Sequence, residues 1–122
     1  MDENDRVAAQ VKAIRKNDIQ EFIRLVCASG DSSFRWLQNV YSTRSVHSQG
    51  IPLALAITEK YFSEAGIGAC RVHGGGFAGA IQVMLPAAAT DGYVTYIEKV
   101  FGPESARILK IRSTGTCFSE LL

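Results

Sequence analysis

Residues 71 to 79 read Arg-Val-His-Gly-Gly-Gly-Phe-Ala-Gly, and five of the six positions after His73 are glycine or alanine. The backbone there carries almost no side-chain shell. Such a segment can adopt positive φ angles, lie flush against a ligand and present bare N–H groups. Its neighbours decide which ligand. Gly74, Gly76 and Gly79 satisfy G-x-G-x-x-G, but a dinucleotide fingerprint needs a helix to start at once, and Ala80 to Leu85 reads as a strand. A protein-kinase glycine loop does join two strands, yet no Val-Ala-Ile-Lys, His-Arg-Asp or Asp-Phe-Gly follows. No Gly-Lys-Ser/Thr ending makes a Walker loop. A ligand-free hairpin corner that admits a closely packed helix stays open as an alternative.

The rest of the chain places that run between helices and short strands. Asp5 to Lys16 sets Val7, Val11 and Ile14 on one side of a helix. Asn17-Asp18 interrupts it, and Asp18 with Glu21 has capping-box spacing for a second helix bearing Ile19, Phe22, Ile23 and Val26. Gly30-Asp31-Ser32-Ser33 reads as a break before a short third helix with Leu37, Val40 and Tyr41, Trp36 beside them. Residues 42 to 50 form a polar loop. Pro52 opens a fourth helix running to about Ala65, apolar round most of its circumference and therefore expected to be well buried; Gly66-Ile67-Gly68 ends it. Ala69 to His73 is extended, Ile81 to Leu85 is a strand stopped by Pro86, and Thr90 or Asp91 caps a helix closed by Gly102-Pro103. Ile108 to Ile111 is a last strand. The order α-α-α-α-β-β-α-β predicts an α+β two-layer sandwich, helices on a small antiparallel sheet, as one domain over residues 1–122.

Composition narrows the function classes. A net charge of +1, with basic residues scattered from Arg6 to Arg112, gives no clustered face for nucleic acid. No run approaches the roughly 18 apolar residues of a membrane span, and the acidic start Met1-Asp2-Glu3-Asn4-Asp5 is unlike a signal peptide. Cys27, Cys70 and Cys117 are widely spaced and odd in number. They read as small buried hydrophobes or free thiols of a cytoplasmic protein, and His47 and His73 complete no zinc pattern with them.

Residues 68 to 79, Gly-Ala-Cys-Arg-Val-His-Gly-Gly-Gly-Phe-Ala-Gly, resemble the third, glycine-rich motif of galactokinases in the GHMP kinase superfamily. Glu3 to Val7, Ala13 to Asp18, Gln49 to Leu55 and Ile111-Arg112 are also similar to the C-terminal half of those enzymes, so the resemblance covers nearly the whole chain. His73 stands where the family more often has threonine, and Ala78 where it has glycine. The resemblance implies a ferredoxin-like GHMP C-terminal domain whose parent phosphorylates galactose to galactose 1-phosphate with ATP and Mg2+. It implies nucleotide contact from Arg71, His73, Gly74, Gly75, Gly76, Phe77, Ala78 and Gly79. The nucleotide cradle, sugar clamp and catalytic arginine and aspartate of the family belong to an N-terminal half not found in these 122 residues.

Phosphoryl transfer rests on positioning and electrostatic stabilisation. A loop offering a few hydrogen bonds at about 1 kcal/mol each does not supply that alone. The chain is therefore expected to be inactive by itself and to bind neither ATP nor Mg2+ tightly. Its catalytic residues would be contributed by the other half, its natural partner. An exposed partner-facing patch would favour a weak homodimer through the loop face. Two readings stay open for the side chains. Arg71 meets a phosphate or carboxylate, or forms an interdomain ion pair; His73 donates to sugar or phosphate, or is a satisfied half-buried histidine. Trp36 and Phe77 read as core or interface anchors. The second functional reading is a stand-alone, non-catalytic binding module of the same fold.

Overall fold

The computed structural model describes residues 2–66, 68–76, 79–111 and 113, and within them the chain is α+β. Three helices come first, α1 (Glu3–Arg15), α2 (Ile19–Leu37) and α3 (Gly50–Ala65). The antiparallel strands β1 (Ala69–Val72) and β2 (Ile81–Met84) follow, then a 3-10 turn at Ala87–Ala89 and α4 (Thr90–Phe101). The strands pair in register Ala69 with Met84 through Val72 with Ile81.

Local chemistry explains most boundaries. The Asp2 carboxylate accepts from the Asn4 amide and starts α1. The Asp18 carboxylate takes the Glu21 amide and starts α2. Helix α3 ends on Gly66 in the left-handed region, φ +85°. Tyr61 and Phe62 of α3 meet Tyr93 of α4 through ring contacts, and Thr58 and Tyr93 share a buried hydroxyl bond of 2.7 Å. Val40, Ile51 and the β1 residue Val72 form a buried cluster.

Several sequence expectations are corrected. Gly30-Asp31-Ser32-Ser33 does not break the chain; α2 runs through it, and of the expected third helix only the part up to Leu37 is helical, as the end of α2. The reason is tertiary. A Cβ on Gly30 would lie 3.1 Å from the Arg71 Cβ and 3.2 Å from the Cys70 carbonyl oxygen, so the bare helix surface lets β1 approach. That close packing offsets a helical glycine penalty of about 1 kcal/mol. The helix ends instead at Gln38, φ +51°, whose side-chain amide donates to the carbonyls of Phe34 and Arg35. Val40 and Tyr41 therefore lie beyond it.

Ile108 to Ile111 is not a strand. Among the described residues no sheet neighbour takes up its backbone, and Leu109 and Ile111 are 85% and 99% exposed. Helix α3 is half-buried rather than enclosed, with Ile51 and Thr58 its buried residues and Leu53 exposed. Of the two places expected for Trp36, core or interface, the core is excluded: it stands 79% exposed on the last turn of α2. Neither Thr90 nor Asp91 caps α4 with its side chain; the chain enters through the 3-10 turn. The tail from residue 114 lies outside the described residues. Among the described residues no helix is long and apolar enough to cross a membrane.

Candidate functional site

The glycine run is the turn of the β1–β2 hairpin. The His73 amide donates to the Ala80 carbonyl at 3.2 Å, extending the ladder by one step and closing the loop base. Gly74, Gly76 and Gly79 have φ of +65°, +77° and +77°, whereas Gly75 does not lie at positive φ. Alternation of φ sign along successive residues turns neighbouring N–H groups towards one side, the geometry of an anion-binding nest. Among the described residues no hydrogen bond takes up the amides of Gly74, Gly75 or Gly76. Strand β2, not a helix, follows Gly79. The rejection of a dinucleotide fingerprint therefore holds. Phe77 and Ala78 lie outside the described residues.

One prop holds the loop. Beyond the left-handed Gln38, Asn39 turns inward and is 2% exposed, with Val40 in the core beside it. The Asn39 Nδ2 donates to the Gly75 carbonyl at 3.2 Å and stands 3.4 Å from Ser33 Oγ. The Asn39 carbonyl oxygen abuts Gly76 so closely that any Cβ there would overlap it, and would come within 2.8 Å of the Asn39 Cβ. Sequence reading missed Asn39. A single asparagine 36 positions from its partner carries no local pattern that could announce the contact.

Arg71 and His73 occupy different surroundings. Arg71 is half-buried, and its Nη1 donates to Ser29 Oγ at 2.6 Å. Ser29 is buried and donates to Glu3 Oε1 at 2.5 Å, and the other Glu3 oxygen pairs with Arg6. Arg71 thus finds its partner within the chain, in a network that joins β1 to α2 and to the first turn of α1. His73 is exposed. It lines a cleft of about 990 Å³ together with Gly79, Ile81, Tyr93, Ile97 and Leu109. His47 is exposed in the polar loop.

The thiols Cys27 and Cys70 are free, half-buried and buried respectively. Burial, with Glu59 nearby, pushes the Cys70 thiol up to about 12, and burial raises Cys27 with help from Asp31. Both are therefore neutral packing groups at physiological pH rather than nucleophiles. Among the described residues no three His, Cys, Asp or Glu side chains gather as metal ligands. The site can hydrogen-bond an anion through backbone, with an imidazole at its rim. Comparison with known proteins finds no matching family model, curated protein or solved structure.

Proposed function

We propose that this chain is the C-terminal half of a galactokinase-like sugar kinase, with the ferredoxin-like GHMP fold, in which its glycine turn walls one side of the nucleotide site. The observation that carries the reading is the unclaimed amides of Gly74, Gly75 and Gly76 at the tip of a strand–turn–strand unit. Those amides fit the oxygens of an ATP phosphate, which accept from N–H and need no side chain. The residue resemblance across the chain supports the same reading.

Groups that orient the sugar hydroxyl and carry Mg2+ belong, in this proposal, to the N-terminal half. The loop itself contributes neither a carboxylate nor a lysine. Its work is to place the phosphates and to close the site from one side, while His73 reaches the sugar or phosphate from the rim. The role of Arg71 is then to hold β1, and with it the loop's root, through Ser29.

The test compares galactose phosphorylation by the 122-residue chain with that of the reading frame extended upstream of Met1. The extended product should consume ATP and yield galactose 1-phosphate; the short chain should yield none. Turnover by the short chain alone would refute the division of labour. An upstream frame lacking an Arg-x-Asn-x-x-Gly-Glu-His-like segment would favour the stand-alone module instead.

A further inference from the structure

We infer that Asn39 is a positioning residue for the glycine turn: its side-chain amide sets the orientation of the Gly75–Gly76 peptide and so aims the Gly76 N–H at the ligand. The anion-binding part of this inference rests on the function proposed above; the orientation of the peptide does not.

The argument starts from peptide geometry. In a trans peptide the C=O of one residue and the N–H of the next point in opposite directions. Among the described residues no peptide bond is cis. The Gly75 carbonyl is drawn toward Asn39 Nδ2 at 3.2 Å, so the Gly76 N–H must point away from that side chain. Only the NH2 end of asparagine can meet a carbonyl, because two acceptors repel. That requirement fixes the side-chain amide, and Ser33 Oγ, within 3.5 Å of both its ends, supports it.

Position is enforced as well as direction. Asn39 sits between the left-handed terminus of α2 and Val40, which is 1% exposed, so its backbone has little freedom to retreat. Its carbonyl oxygen fills the space that a side chain at residue 76 would need. Gly76 therefore rests directly on the Asn39 backbone while its neighbour's carbonyl is tied to the Asn39 side chain. Gly79, on the far side of the turn, has nothing among the described residues within 4 Å of where a Cβ would lie. A loop held at its centre presents a preformed donor there, which lowers the ordering cost of binding.

The experiment uses the 15N-labelled 122-residue chain, with inorganic phosphate as the probe. Residual dipolar couplings report the direction of the Gly76 N–H, and amide shifts on titration report affinity. Asn39→Asp keeps the shape and replaces the donor with an acceptor facing a carbonyl. It should rotate the Gly76 N–H vector, leave core amides such as Leu25 and Val40 unmoved, and weaken phosphate binding about tenfold, the equivalent of one hydrogen bond to a charged group. An unchanged vector in a folded Asn39→Asp chain overturns the inference. If that variant does not fold, Ser33→Ala, which removes only the support of Asn39, should move the same vector in the same sense with about a twofold loss; no change there overturns it equally. Should phosphate shift no loop amide in the unaltered chain, the kinase reading loses its carrying observation, while the vector comparison still decides the role of Asn39.

Discussion

Strands β1 and β2 are paired residue for residue, yet they live in unlike surroundings. On β1, Ala69, Cys70 and Val72 are 0%, 8% and 5% exposed, with α2 and α3 packed against the strand. On β2, Gln82 is exposed, and Ile81, Val83 and Met84 are only half-buried along the large cleft. The turn between them inherits the difference. Its middle, at the Gly75 carbonyl and Gly76, rests on Asn39, whereas its far end at Gly79 leads into the less covered strand. What this teaches is that a glycine-rich loop need not be uniformly loose: packing beneath one part can hold some amides in place and leave others adaptable.

The largest effect should separate the middle of the turn from its far end. Gly76→Ala combines a positive φ with overlap of the Asn39 carbonyl and should destabilise the fold by about 3 kcal/mol. Gly79→Ala has open space and only the backbone penalty, so about 1 kcal/mol is expected; urea midpoints of the two variants decide it. Equal losses would break the comparison. Next come the strands themselves. Val72→Ala removes buried contacts with Val40 and Ile51 and should cost about 2 kcal/mol, against less than about 1 kcal/mol for Val83→Ala on β2.

A smaller effect is read through pH. Burial raises the Cys70 thiol from its ordinary 9.0 to about 12, so the unfolded chain loses that proton first as pH climbs. The stability tied to this thiol is fully present below pH 9 and declines as the pH rises from there towards 12. Urea midpoints from pH 8 to 10.5 should fall more steeply for the unaltered chain than for Cys70→Val. Parallel slopes would mean that β1 is less enclosed than described. The smallest effect belongs to the open side: Leu109→Ser, at an 85% exposed position, should change stability by no more than about 0.5 kcal/mol.

Much of this contrast was written in local signals. Asp18 as a cap, Gly66 as a stop and the glycine run between two strands each act within a few residues, so the chain's own spacing displays them. Other features depend on what comes from elsewhere. Gly30 looks like an interruption until β1 lies against it, and only then does a bare helix surface become an asset. Val7, Val11 and Ile14 recur at helical spacing, but they are 50%, 43% and 55% exposed, and α1 buries Arg6 and Ala13 instead. The pairing of Arg6 with Glu3, and of Glu3 with Ser29, draws that polar side inward. At the candidate site the glycines were legible and Asn39 was not, since its contact is made by chain topology.

The hydroxyl of Ser29 carries a single hydrogen, and Glu3 receives it. Toward Arg71 the same oxygen can therefore act only as an acceptor, which gives the relay a polarity: proton donors run from strand to helix to carboxylate. An alanine at 29 would sever guanidinium from carboxylate, whereas threonine would keep the wiring intact. One of the five donors of the Arg71 guanidinium is thus committed inward, so the strand that carries the turn is tied through a serine to the chain's first helical turn.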